Sequence, residues 1–343
     1  GVEHFFFWDG AMGRSQSTGA SHVMRRLGHK DEIAGWAKAG DSGTKRRLFG
    51  GAIAGGIRLA VGWFGAVTVS KNGGAWRLAK GVELVNLEDV IHDGDQFIAV
   101  GKTGKVGLSP DGETWTFRDS GTDAWLKHVT IDGGTYAAVG TRGTIVTSTN
   151  GTKWTERNTP TSSGLESVAF GNSRFVAVGF KGTILYSDNG QRWIAAKSGT
   201  KEWLNDVTFG GGIFVAVGAN GTLLTSLDGK AWMRRSSGTE TSLGGVAFGD
   251  RRFIIAGRAG LILESGQLAA PPEPPTLTAT LAKGGKPRLV IDGQEGQLYR
   301  IEVSADLRQW KVLKLIEGAA KPVEFVDESG TTERSRFYRT VTP

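Results

Sequence analysis

Asp89, His128, Ser167, Asp206 and Gly245 each stand one residue before a valine in successive copies of a repeated segment. Two carboxylates and an imidazole in one column are the residue types of general acid–base chemistry. If the protein is an enzyme, Asp89, His128 and Asp206 are therefore its catalytic candidates. Polar side chains in such a column more often merely line a watery channel. Other chemistry finds less support. With no cysteine there is neither a thiolate nucleophile nor a disulfide. The five histidines (His4, His22, His29, His92, His128) lack metal-ligand spacing, and no G-x-x-x-x-G-K-[ST] loop is present. No metal and no cofactor are expected.

A second set of residues suits binding. Six G-x-x-G turns carry Trp63, Phe64, Lys102, Arg142, Phe180, Lys181, Asn220 and Arg258, and the connections between copies carry Trp125 and Trp203. Four of these turns hold a cation and none holds an acid. Aromatic rings interleaved with cations stack on sugars or dock on acidic protein surfaces. Trp125 and Trp203 could equally serve as covers for the strand ends. The net charge of +7 favours anionic partners. Nucleic acid is not expected, because no recognised binding module is present. Trp63, Trp125, Phe180, Trp203, Lys102, Arg142, Lys181 and Arg258 form the candidate ligand-binding set.

The elements that position these residues follow from arithmetic. A glycine ends an apolar run at Gly62, Gly101, Gly140, Gly179, Gly218 and Gly257, always 39 residues apart. Leu48, Leu87, Leu126, Leu165, Leu204 and Leu243 keep the same step, as do Trp76, Trp115, Trp154, Trp193 and Trp232. Each unit reads as four short alternating strands separated by glycine turns, the size of a propeller blade. No unit shows a 3.6-residue apolar period, which excludes a helical solenoid. The expected fold is all-β, a six-bladed β-propeller with a small C-terminal β-sandwich.

The last unit lacks its tryptophan strand. Trp36 and Ser42-Gly43-Thr44 precede Leu48 nearly in phase, so the segment from Trp36 to Thr44 is expected to close the ring beside Leu261–Glu264. The expected organisation is an unassigned extension over 1–35, the propeller over 36–268, a proline-rich linker over 269–275 and a fibronectin-like sandwich over 276–343. No apolar run approaches the ~20 residues of a membrane-spanning helix. The chain begins at Gly1 rather than methionine, so further residues are expected upstream.

The turn Ser109-Pro110-Asp111-Gly112-Glu113-Thr114-Trp115 recurs at 70–76, 148–154, 187–193 and 226–232. It resembles the Asp-box of the bacterial neuraminidase repeat, one residue shorter than usual. The whole unit over 36–265 is similar to propellers of the photosystem II assembly factor type, which are usually seven-bladed. That resemblance is specific for fold and says little about activity. An Asp or Asn side chain can bond backbone amides in such a turn, glycine supplies a positive φ and tryptophan packs the hairpin, so Asp111, Asp228 and the repeated tryptophans are expected to be structural. Asp-box neuraminidases carry an arginine triad and a Tyr–Glu pair. Here the repeats contain only Tyr136 and Tyr186 and no recurring arginine set. The pattern from Tyr299 through Trp310 to Phe337-Tyr338 resembles C-terminal modules of secreted planctomycete and verrucomicrobial proteins, implying an extracytoplasmic bacterial location.

The expected function is a binding or assembly module recognising a glycan or an acidic protein at the propeller mouth. The alternatives are a glycoside hydrolase or polysaccharide lyase with an axial acid–base site, and a structural component of a surface assembly.

Overall fold

The computed structural model describes residues 5–6, 42–268 except 81, 83 and 133, and 276–282, 286–292, 298–304, 311–317, 321–328 and 337–341. The chain divides into two compact units, 1–268 and 269–343.

The described residues of the first unit form six antiparallel sheets, the blades of a β-propeller, spanning 48–78, 87–119, 126–156, 165–196, 204–235 and 243–264. Side chains alternate along each strand, so every blade offers an apolar face to each neighbour. Leu59, Val61, Val67 and Val69 of blade one pack on Leu87, Val90, Phe97 and Ala99 of blade two, and similar clusters join the later pairs. First strands of successive blades contact one another, which places them innermost.

Gly101 shows why one glycine repeats so strictly. A Cβ there would lie 2.0 Å from the carbonyl oxygen of Asn86, where the second strand crosses the start of the first. The N–H of the next residue, Lys102, donates to that same carbonyl. After it comes a tight 3-10 turn whose middle residue, Thr103, is left-handed (φ 55°).

In each blade the register slips just after the opening leucine, for example between Leu87 and Asp89. The skipped residue is the extra residue of a β-bulge, which re-aims its side chain. In chain order these residues are Phe49, Glu88, Lys127, Glu166, Asn205 and Gly244.

The expected closure differs from what is observed. Blade six has three strands among the described residues, and Ser42–Thr44 lies against blade one rather than beside 261–264. The physical reason is Thr68, a hydroxyl buried on the outer part of blade one, which donates to the carbonyl of Ser42 at 2.5 Å. In blade two the matching Ser-Gly-Thr segment sits on the turn glycine, the Thr122 oxygen 1.9 Å from a Cβ at Gly104; at Gly260 of blade six nothing among the described residues comes within 4 Å. The rest of the expected closing segment, residues 36–41 with Trp36 among them, lies outside the described residues. Phe5–Phe6 instead pairs with the inner edge of Leu48–Ala54 and lies against the first strand of blade six.

In the second unit, strands 276–281, 287–292 and 323–326 form one sheet and 311–317, 298–304 and 337–341 another. Leu289 and Ile291 of the first sheet share one apolar cluster with Ile301 and Ile316 of the second. No helix among the described residues is long and apolar enough to cross a membrane.

Candidate functional site

The inner column turns out to be hydrogen-bonded between blades. Asp89 Oδ2 accepts the Val129 N–H at 2.9 Å, and Asp206 Oδ2 accepts the Val246 N–H at 2.7 Å. His128 Nδ1 faces the Val168 N–H at 3.5 Å, and Ser167 Oγ accepts from Val207 at 3.3 Å while donating to Asp206 Oδ1 at 2.7 Å. Each side chain thus meets the valine amide of the following blade. Burial pushes the Asp206 carboxyl up to about 7 despite its hydrogen bonds, and pushes His128 down to about 4. The ring is therefore neutral, and acceptance at Nδ1 assigns its proton to Nε2, 3.6 Å from Asp89. Asp206 is 2% exposed. The three acid–base candidates share one column, but as stitches between blades.

The residues that sequence reasoning missed are those at the bulges. Glu88 from blade two accepts the Trp63 indole N–H of blade one at 2.8 Å and stands 3.9 Å from the Lys127 ammonium of blade three. Burial raises the Glu88 carboxyl above its ordinary range even though Lys127, Trp63, Trp125 and Lys102 all pull it down. Glu166 on blade four is pushed by burial up to about 7, with Lys127 opposing and Glu88 adding to the rise. A signal was present in the sequence: Leu87 and Val90 are both apolar three residues apart, which a period of two forbids unless the strand bulges.

The expected binding residues fall into separate groups. Trp63 and Trp125 come together with centroids 6.3 Å apart, and the Lys102 ammonium lies 5.4 Å and 4.4 Å from them. Lys127 sits 3.3 Å from the Trp125 centroid, Arg47 covers Trp63 at 5.7 Å, and Phe49 packs on Trp63 at 5.2 Å. Both indoles are half-buried with cations on their faces, so they are not the open platforms expected. The open pair is Phe180 and Trp203, edge to face at 4.4 Å and 37% and 44% exposed. Gly164 makes room for Phe180, since a Cβ there would lie 3.2 Å from its ring.

The cations also differ in their surroundings. Arg142 pairs with Asp123, an acid supplied by the connection rather than by the turn. Lys181 and Arg258 are exposed and make no ion pair among the described residues. The turns carry no acid, but the mouth does, through Glu88, Asp123, Glu166 and Glu202.

The third-to-fourth-strand turns lie at the opposite ends of the blades. Asp111 Oδ1 accepts the N–H groups of Glu113 and Thr114 at 2.8 and 2.7 Å, and Asp228 does the same for Lys230 and Ala231. Trp115, Trp154, Trp193 and Trp232 each donate the indole N–H to the glycine carbonyl three residues earlier, at 2.9–3.0 Å. Trp193 and Trp76 are buried and the other three half-buried. In blade one the pattern breaks: the Trp76 indole N–H has no partner among the described residues, and Arg58 lies 5.7 Å above its ring. No cluster of three potential metal ligands occurs among the described residues.

No family model matches the chain, and no curated protein matches its sequence. Solved structures do resemble it. YCF48 from Cyanidioschyzon merolae superposes with a TM-score of 0.50 at 18% identity, covering 64% of this chain and 82% of that one. A structure of YCF48 bound to D1 peptide gives 0.50 at 17% identity, with 69% and 86% covered. The computationally designed Ika8 protein gives 0.51 at 15% identity, with 82% and 93% covered. The chain shares the β-propeller fold of these proteins.

Proposed function

We propose that the propeller is a non-enzymatic binding module that takes an acidic protein segment at its mouth, outside the cytoplasm of a bacterium. The observation that carries this reading is the Phe180–Trp203 pair. Two rings from adjacent blades meet at 4.4 Å and remain exposed, with Lys181 in the same turn as Phe180. Exposed rings regain favourable burial when a partner covers them, and aromatic residues are enriched at protein interfaces. Lys181 and Arg258 supply charge for an acidic partner and would raise its rate of encounter.

A polypeptide occupant is supported by YCF48, a protein of the same fold whose structure with D1 peptide is known. The extracytoplasmic placement rests on the resemblance of residues 276–343 to modules of secreted proteins. The acid–base alternative is weakened by the column itself, because Asp89, His128 and Asp206 face backbone amides of the following blades.

The test is titration of the full chain with hexaglutamate and with an oligogalacturonate, at low and high salt. Binding of hexaglutamate that weakens as salt rises and is lost in a folded Phe180→Ala/Trp203→Ala protein supports the reading. Binding of the oligogalacturonate alone makes the occupant a glycan, and turnover of it makes the protein an enzyme. Either result overturns the acidic-segment reading, as does binding of neither probe.

A further inference from the structure

Four donors from three blades surround one carboxylate at the mouth. Glu88 has a side chain only 9% exposed, and Trp63 donates to its Oε1 at 2.8 Å. The Lys127 ammonium is 3.9 Å from Oε2, beyond ordinary hydrogen-bond length. The Trp125 indole N–H faces the same carboxylate closely enough to pull its pKa down, yet it is buried and reaches full hydrogen-bond geometry with no acceptor among the described residues. Lys102 adds its charge from between the two indoles. Two ammonium groups therefore lie within 4.4 Å of one ring centroid, where their repulsion is relieved by an anion. One carboxylate offers about four lone-pair sites, and of these four donors one completes a bond with Glu88. Glu166 of blade four also acts on Lys127, but Glu88 is the acid that Trp63 bonds, and the cluster is placed for a carboxylate that meets more of its donors than Glu88 does.

We infer that Trp63, Trp125, Lys102 and Lys127 form a carboxylate-binding cradle in which Glu88 is a built-in stand-in, displaced when an acidic side chain or C-terminal carboxylate of a partner peptide enters. This rests on the reading of the mouth as a site for an acidic segment, and names the group that anchors it. Glu88 sits on a bulge and is held by one ordinary hydrogen bond, so it gives way to a group that completes the unmade ones. Its elevated carboxyl pKa agrees with incomplete stabilisation of the charge. A tethered occupant lowers apparent affinity by the fraction of time the cradle is empty, and removing it restores that factor.

The experiment measures hexaglutamate affinity at low salt for the full-length wild-type, Glu88→Gln and Glu202→Gln proteins. Glu202 bonds Asn220 at the same end of the propeller, so its variant removes equal charge without touching the cradle. Glu88→Gln is expected to bind about tenfold tighter, and adding Lys127→Met is expected to abolish the gain. Equal gains in the Glu88 and Glu202 variants, or no gain in Glu88→Gln, overturn the cradle. If Glu88→Gln does not fold, carboxyl NMR of wild-type protein decides. Saturating hexaglutamate must shift the Glu88 resonance and lower its titration point, and an unmoved resonance overturns the cradle. Wild-type binding that needs Phe180 and Trp203 but is not enhanced by Glu88→Gln retains the module and rejects the cradle. Tighter binding by Glu88→Gln that persists in the Phe180→Ala/Trp203→Ala background retains the cradle and rejects the Phe180–Trp203 pair as part of the site.

Discussion

Asp89 of blade two accepts the backbone N–H of Val129 of blade three at 2.9 Å. An inner strand cannot pair edge to edge with its neighbour in the ring, so this amide would otherwise lie buried and unsatisfied, a loss of about 1–3 kcal/mol. Asp89→Ala is therefore expected to destabilise the propeller by roughly 2–3 kcal/mol in denaturant titrations. A change within error would mean that water replaces the carboxylate.

Two other groups of the column give opposite pH dependences. The unfolded chain releases the Asp206 proton near 3.8, while the folded chain keeps it until about 7. This group makes stability fall as pH rises across that window. Glu166, ordinarily near 4.5 and raised to about 7, acts in the same sense. His128 takes its proton near 6.5 when unfolded and near 4 when folded, so its share of stability falls as pH drops between those values. Thermal melts from pH 4 to 7 should show a shallower decline with rising pH in Asp206→Asn than in wild type, and a steeper one in His128→Gln. Three parallel profiles would contradict the assignment.

Asp111→Asn and Asp228→Asn should remain folded, within about 1 kcal/mol of wild type, with binding intact. The protein already contains the experiment. Asn150 accepts the N–H groups of Thr152 and Lys153 at 3.0 and 2.9 Å, and Asn189 those of Gln191 and Arg192 at 2.9 and 3.1 Å. A folded Asp111→Asn protein that no longer binds would show that the turn does more than shape the hairpin.

Trp193 is 5% exposed and packs with Val168 and Phe175 in the cluster shared by blades three and four. Trp193→Ala should destabilise by roughly 3–5 kcal/mol, through lost burial and the cavity left behind. The half-buried Trp115 should lose less on the same change. Equal losses, measured by chemical denaturation, would count against burial as the cause.

Gly164→Val is expected to fold and to fail in binding. A Cβ at this position already lies 3.2 Å from Phe180, so a branched side chain must push the ring off Trp203. Fluorescence of Trp203 and hexaglutamate affinity should change together. Unchanged affinity with a changed emission spectrum would remove the ring pair from the binding surface.

The blades were legible because their determinants are single residues in fixed registers. Gly101 has no room for a Cβ, Leu87 opens the buried strand, and Trp115 caps its hairpin. The role of Asp206 was hidden because its partner is a backbone amide 40 residues away, and any residue but proline presents the same N–H. Glu88 and Lys127 were overlooked because a bulge redirects them toward residues of the flanking blades. Closure by Trp36–Thr44 was inferred from phase alone. Phase carries no information about the buried hydroxyl of Thr68, which holds Ser42 at blade one.

The stitches between blades all run one way. In each, the side chain belongs to the earlier blade and the amide to the later one, from Asp89–Val129 to Asp206–Val246. Blade one contributes Gly50 instead, where a Cβ would lie 2.5 Å from the Asp89 Cα, so that junction closes backbone on backbone. A gene duplication copying an interior blade would therefore insert a unit carrying both halves of the stitch, ready to join its neighbours without further mutation. A copy of blade one would bring the amide but no side chain to pass on, so the array lengthens most readily from within.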